Sequence, residues 1–162
     1  MKTCCFTGHR IQKAGFEFSE YNFKYISLKN QVTQHIKSAI EDGFANFISG
    51  MAIGFDMLCA EVVLELKKHY NINLILALPC HNQEKYFKEK EKIKYRNILK
   101  SADKVIYVSE EYYNGCMQKR DRYMVDNSSL IIAFYLGIAG GTKTTLNYAL
   151  NKGLKIQIIN SI

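Results

Sequence analysis

The chain has 162 residues, of which 48% are hydrophobic, with ten glycines and one proline. This length suits one domain, and the composition excludes a disordered or low-complexity protein. No apolar run approaches the roughly 18–20 residues of a membrane span, which excludes membrane attachment by a spanning helix, and the net charge of +7 favours phosphorylated or nucleic-acid ligands.

The start of the chain and its cysteines predict a cytoplasmic protein. The first residues, MKTCCFTG, lead directly into an apolar strand pattern and show no signal-peptide core or cleavage site. The five cysteines follow no disulfide or zinc-site spacing, so we expect buried free thiols and no metal site. Cys4 and Cys5 are adjacent on a predicted strand and should point to opposite faces of the sheet.

Short apolar runs alternate with amphipathic stretches along the chain. The runs predict strands at 3–7, 45–49, 73–79, 104–109, 129–135 and 154–159. Most runs are almost continuously apolar, as in central parallel strands that are covered on both faces. The last run alternates with polar residues, which is typical of an edge strand.

Between these strands, helices are predicted at 27–42, 55–69, 83–100, 117–127 and 142–152. The first helix would begin at Ser27 as N-cap and end at Gly43. One face of it carries five apolar residues: Leu28, Val32, Ile36, Ala39 and Ile40. Alternating strands and helices imply right-handed crossovers. The sequence therefore predicts an α/β fold, a Rossmann-like three-layer sandwich with a mostly parallel sheet of about six strands, formed by residues 1–162 as one domain.

In such folds ligands bind at the carboxyl ends of the strands, so the loops that follow the strands are expected to carry the binding residues. After the first strand come Gly8, His9 and Arg10. A glycine lets the backbone approach a ligand, and an arginine can pair with a phosphate or carboxylate. A tight turn with a solvated histidine and arginine is the alternative interpretation.

The second loop, SGMAIGFD at 49–56, opens directly into a helix. Gly50 and Gly54, four residues apart before a helix N-terminus, are typical of a phosphate site, with Ser49 beside them. Asp56 lies in the first helical turn. There it either balances the helix dipole, or accepts a hydrogen bond from a ribose hydroxyl or positions a water molecule.

The third loop contains Gly140 and Gly141 before a helix that begins with Thr142, Lys143 and Thr144. Free amides and threonine hydroxyls there predict an anion-binding nest, whereas threonine capping alone does not explain two glycines. A P-loop NTPase is excluded, because Thr142 replaces the required glycine and only one strand follows.

A cationic segment precedes the fifth predicted strand. Arg120 and Arg122 lie two residues apart on a predicted helix and cannot share one face. At most one of them should therefore face a ligand.

Together, FTGHR, SGMAxGxD and GGTxxTxxYA resemble the SLOG superfamily, specifically its YpsA-like branch, over essentially the whole chain. The resemblance implies a Rossmann-like fold and a nucleotide-related ligand, with no settled activity for this branch. The expected ligand-binding residues are Gly8, His9, Arg10, Ser49, Gly50, Gly54, Asp56, Arg120, Gly140, Gly141, Thr142 and Thr144.

Two related families supply alternatives. LOG-type phosphoribohydrolases carry PGGxGTxxE, and in the corresponding alignment Asn147 replaces the glutamate that assists glycosidic cleavage. An amide cannot hold a proton or stabilise an oxocarbenium-like charge as a carboxylate does, so Asp56 or Asp126 would have to substitute. DprA, which binds single-stranded DNA in bacterial transformation, has a motif similar to 49–56.

The leading hypothesis is a sensor or regulator that binds a nucleotide or a nucleotide-derived ligand, such as an ADP-ribose-like molecule. The alternatives are an N-glycosidase acting on nucleoside monophosphates, with Asp56 as the catalytic candidate, and single-stranded nucleic-acid binding of the DprA type. No cofactor is assigned beyond the nucleotide ligand. The expected partners are a small nucleotide-like molecule, nucleic acid in the third case, and further copies of the chain in a homo-oligomer.

Overall fold

The computed structural model describes residues 2–162, and in that range six strands form one sheet. The strands are β1 (Lys2–Gly8), β2 (Phe44–Ser49), β3 (Asn73–Leu78), β4 (Lys104–Tyr107), β5 (Leu130–Phe134) and β6 (Lys155–Ile159). Their order is β4-β3-β2-β1-β5-β6, and every neighbouring pair is parallel. The predicted α/β, Rossmann-like architecture is confirmed, and β6 is an edge strand as expected.

The helices cover both faces of this sheet. They are α1 (Ile11–Ala14), α2 (Phe23–Glu41), α3 (Phe55–Leu66), α4 (Glu89–Ser101), α5 (Cys116–Asp126) and α6 (Gly141–Asn151). Helix α3 packs against α2 and α4, whereas α5 and α6 pack against each other. Two separate apolar cores result, and Cys4 belongs to one while Cys5 belongs to the other, as their adjacency on β1 predicts. No helix within residues 2–162 has the length and apolar character needed to cross a membrane.

Helix α2 begins earlier than the sequence indicates. Its N-cap is Asn22, whose Oδ1 accepts hydrogen bonds from the amides of Lys24 and Tyr25, so the prediction of Ser27 as N-cap is wrong. The additional turn contains Phe23, which is 89% exposed and therefore does not follow the amphipathic pattern. Asn22 starts the helix because its side chain satisfies two amides that have no partner inside the helix.

The predicted helix at 83–100 is interrupted. A short 3₁₀ turn at Gln83–Tyr86 is separated from α4 by Phe87 and Lys88, which are both extended. The Phe87 ring packs edge-on against Tyr95, with 5.7 Å between ring centroids. The helix is therefore interrupted at the residue whose side chain packs against α4.

The topology places a crevice between β1 and β5. From β1 the chain continues to β2 on one side, whereas from β5 it continues to β6 on the other side. Gly8 at the end of β1 is in register with Phe134 at the end of β5, so the loops that follow both strands leave the sheet side by side. This reversal of strand order is where α/β folds place their ligands.

Candidate functional site

A cavity of about 900 Å³ lies at the carboxyl ends of β1 and β5. Its wall is built from the end of β1 and helix α1, from Ala52 and Asp56 near the start of α3, and from α5 and α6. This volume is near the upper end of the range for small-molecule sites, about 300–1,000 Å³.

Most of the residues that the sequence predicts for the site line this one cavity. They are Gly8, His9, Arg10, Asp56, Arg120, Gly140, Gly141, Thr142 and Thr144. The tertiary structure thus brings together residues from four segments that are far apart in the sequence, at 8–10, 56, 120 and 140–144. Ser49, Gly50 and Gly54 lie outside the cavity wall.

Ser49 holds the loop between β2 and α3 together from the inside. It is fully buried. Its Oγ donates to the carbonyl of Asp56 at 2.8 Å and accepts from the amide of Met51 at 3.2 Å. Both hydrogen-bonding capacities of the hydroxyl are used within the loop, so the expectation that Ser49 contacts a ligand is corrected.

The two glycines of the same loop permit close packing. A Cβ on Gly50 would lie 2.6 Å from Nη1 of Arg120, and the Gly50 carbonyl accepts a hydrogen bond from that atom. Gly54 has φ +106°, and a Cβ there would lie 3.2 Å from the amide nitrogen of Ile11. The phosphate site expected at these glycines is therefore replaced by contacts that support Arg120 and α1.

Arg120 is a buried cation at the wall of the cavity, with its side chain 4% exposed. Its Nε donates to Asp121 Oδ1 at 2.7 Å, and its Nη1 donates to the Gly50 carbonyl. Within residues 2–162, Nη2 donates only to the sulfur of Met117, at 3.9 Å. Because a thioether is a weak acceptor, Nη2 keeps donor capacity for a ligand.

His9 connects the ends of β1 and β5. Its Nε2 accepts a hydrogen bond from the amide of Leu136 at 2.9 Å, so the ring is neutral and carries its proton on Nδ1. Burial, and after it the positive charge of Lys13, lowers the pKa of His9 below its usual value. Among the described residues Nδ1 has no acceptor, and His9 is 2% exposed. It is a buried donor at the cavity wall.

Helix α6 begins at the cavity without a side-chain cap. The amide of Thr144 bonds to the Gly140 carbonyl, and the amides that precede it, at 141–143, have no partner inside the helix. Thr142 is buried, and its hydroxyl has no partner in the described part of the chain. The Thr144 hydroxyl donates to the Gly140 carbonyl at 3.2 Å, and its expected contact with a ligand stays a prediction.

Two further cations line the cavity, and Lys13 lies at this helix end, where its Nζ donates to the carbonyl of Ala139 at 2.9 Å. Arg10 is exposed and occupies the N-cap position of α1 without a side-chain hydrogen bond to that helix. A cation near a helix N-terminus is electrostatically unfavourable unless an anion lies between them. The sequence does not predict a role for Lys13, because a helix of four residues is too short to show a periodicity that would place Lys13 at the cavity.

Asp56 is the buried acid of the cavity. Its pKa is raised to about 6, chiefly by burial; Arg120 opposes the shift, Asp121 adds to it, and the Ala52 amide and Arg10 lower the pKa by smaller amounts. Its Oδ2 accepts the Ala52 hydrogen bond at 3.2 Å. A carboxyl group that titrates near neutral pH can accept a hydrogen bond or transfer a proton.

The wall between α5 and α6 contains residues that the sequence analysis did not assign: Gln118, Asp121, Arg122, Thr145, Asn147, Tyr148 and Asn151. On α6, positions 144, 147, 148 and 151 share one helix face, and this spacing is the signal that can identify them. Arg120 and Arg122 both line the cavity, Arg120 buried and Arg122 exposed, which corrects the expectation that at most one faces it. Within the described range, no three metal-binding side chains converge.

Comparison with known proteins gives a family match over nearly the whole chain. The family described as YspA SLOG matches residues 4–160. An uncharacterized prophage-derived protein of Bacillus subtilis, YoqJ, is 35% identical over 138 residues, or 76% of this chain and 81% of that protein. A UPF0398 protein of Halalkalibacterium halodurans is 31% identical over 138 residues, or 83% and 72% of the two chains.

A solved structure shows a similar fold. The DNA processing protein A (DprA) of Streptococcus pneumoniae matches with a TM-score of 0.65 at 13% sequence identity. The match covers 99% of this chain and 51% of DprA, so the chain spans about half the length of that protein.

Proposed function

Because the chain belongs to the YspA SLOG family, we propose that its cavity binds a nucleotide or a nucleotide-derived molecule and that the protein acts as a sensor or regulator. The family and the fold suggest a nucleotide- or nucleic-acid-related function. The observation that carries the proposal is a set of donors around one cavity that, among residues 2–162, keep capacity for a ligand: the α6 amides, Thr142, His9 Nδ1 and Arg120 Nη2.

These donors suit a phosphate group at the start of α6. The helix dipole and the free amides attract an anion, Lys13 adds positive charge beside them, and Arg10 adds positive charge to the wall of the same cavity. Of the acids in the wall, Asp121 is paired with Arg120. The other acid, Asp56, can accept a hydrogen bond from a ribose hydroxyl.

We also propose a cytoplasmic location, because five buried free cysteines suit a reducing compartment. The organisation of residues 1–162 as one domain and the formation of a homo-oligomer stay predictions.

Replacing Arg10 by alanine is the first test. A ligand at about 100 times its Kd stabilises the folded protein by roughly 2.7 kcal/mol, which raises the Tm by about 5–10 °C in a domain of this size. We expect one of the common nucleotides to produce this shift in the unsubstituted protein and the Arg10→Ala variant to lose it. Since Arg10 is exposed, the Tm without ligand should stay the same.

Arg96→Ala is the matched control, because Arg96 is exposed on α4 and does not line the cavity. Gly54→Glu is less informative, since the positive φ of Gly54 strains any other residue. Equal ligand shifts in the Arg10 and Arg96 variants would contradict the site. A shift produced only by an oligonucleotide, and lost as salt is added, would instead support nucleic-acid binding.

A second candidate function rests on Asp56, whose raised pKa suits a general acid. An N-glycosidase would release the free base from a nucleoside monophosphate, and the Asp56→Asn variant would lose that activity at least about 100-fold. Chromatography of the reaction mixture over pH 5–8 measures the base. Absence of free base at high protein concentration excludes this candidate and leaves the binding function intact.

A further inference from the structure

The cavity extends well beyond the start of α6. Its wall on this helix runs from Gly141 to Asn151, ten residues later and therefore about 15 Å along the axis at 1.5 Å per residue. A phosphate at the N-terminus engages only the first turn. Two further turns of α6 line a groove that a phosphate and its ribose do not need.

We propose that this outer part of the cavity, the α5–α6 groove, is a second subsite for a polar group that is joined to a nucleotide through its phosphate, such as a second sugar or nucleoside. The proposal rests on the proposed nucleotide-binding function and specifies its ligand class. The groove is formed by Gln118 and Arg122 of α5 and by Asn147, Tyr148 and Asn151 of α6.

The side chains in this groove are free to bind a ligand. Gln118, Arg122, Asn147 and Asn151 are exposed, and none of these side chains has a hydrogen-bond or ion-pair partner among residues 2–162. Amide groups both donate and accept hydrogen bonds, and a guanidinium donates. Such a set matches hydroxyl groups of a sugar or the edge of a base, which carry both donors and acceptors.

Tyr148 gives the groove an aromatic wall. Its hydroxyl donates to Asp126 Oδ1 at 2.8 Å, and Lys152 Nζ lies 5.4 Å from the ring centroid. Both contacts favour the ring orientation that lines the groove, which lowers the conformational entropy that packing against a ligand would cost. The α5–α6 groove therefore combines unpaired polar groups with a pre-positioned ring.

The test compares nucleoside diphosphates with their sugar derivatives by calorimetry. The probes are ADP, UDP, GDP and CDP, paired with ADP-ribose, UDP-glucose, GDP-mannose and CDP-glucose. For the base that the protein recognises, we expect the extended molecule to bind at least about tenfold more tightly than the diphosphate. In the Gln118→Ala/Asn151→Ala variant this advantage should fall below about threefold, while the Kd of the diphosphate stays within about twofold.

Asn97→Ala is the matched control, since Asn97 is exposed on α4 outside the cavity and should leave both affinities unchanged. If diphosphates and extended molecules bind equally, or if the double variant weakens both alike, the second subsite is overturned and the nucleotide site stands. If no probe binds, the proposed function itself fails and the second subsite fails with it.

Discussion

Replacing Arg120 by methionine is expected to lower the free energy of unfolding by about 2–3 kcal/mol at neutral pH. Breaking a buried ion pair costs about 3–5 kcal/mol, and the 22% exposure of the Asp121 side chain reduces this cost because water can solvate the carboxylate. Methionine keeps the apolar stem but removes the hydrogen bond to the Gly50 carbonyl. The Tm should fall by roughly 5–10 °C.

Arg122→Met on the same helix is the matched control. Arg122 is exposed and has no ion-pair partner in the described part of the chain, so this variant should change the free energy of unfolding by less than about 0.5 kcal/mol. Urea unfolding at pH 7 measures both variants. Similar stabilities for the two would show that the Arg120 contacts with Gly50 and Asp121 do not hold the loop in place.

The Asp56→Asn variant should gain stability over the unsubstituted protein as the pH rises. The pKa of Asp56 is about 6 in the folded chain, against 3.8 for an unperturbed aspartate, so the folded state binds the proton more tightly. Stability therefore falls between about pH 4 and pH 6, where the unfolded chain is ionised and the folded one still holds the proton. This shift of about two pKa units corresponds to about 3 kcal/mol. Asparagine does not titrate and avoids the loss.

Urea unfolding at pH 4 and pH 7.5 measures this effect. The free energy of unfolding of Asp56→Asn, relative to that of the unsubstituted protein, should be higher at pH 7.5 than at pH 4. Asp103→Asn is a control of opposite sign. Burial raises the pKa of Asp103, but hydrogen bonds from Lys67 and the Leu74 amide outweigh burial and lower it. The stability that this lowered pKa contributes is lost only below the unperturbed value of 3.8, so Asp103→Asn should lose more stability at pH 7.5 than at about pH 2.5. A pH-independent difference for Asp56→Asn would mean that Asp56 is hydrated in the folded protein.

Local patterns in the sequence were sufficient to predict the layers of the fold. Continuous apolar runs such as the one ending at Phe134 are typical of central strands, and Leu28, Val32, Ile36 and Ala39 are buried as the helical spacing predicts. Helix boundaries were less certain. Asn22 as N-cap and the extended Phe87 depend on individual contacts that do not repeat along the chain.

Part of the candidate site could also be predicted from the sequence, because it depends on where strands and helices begin and end. Strands of a parallel sheet end at one edge, so the loop at Gly8–Arg10 and the loop at Gly140–Thr142 had to lie near each other once the fold was known. The α6 amides are free because no capping side chain precedes the helix. These features depend on the type of residue and on its place in an element.

The roles of Gly50, Lys13 and the α5–α6 groove were decided by tertiary structure. A glycine before a helix serves a phosphate site or close packing equally well, and the contact that decides between them joins Gly50 to Arg120, 70 residues away. Lys13 Nζ donates to the carbonyl of Ala139, and Gln118 of α5 and Asn147 of α6 line the same groove between two helices. The sequence by itself determined the six strands, the longer helices and the loops that carry glycine, because these follow from local periodicity and chain geometry. Which side chains face the cavity depends on long-range packing, and only the folded chain specifies that.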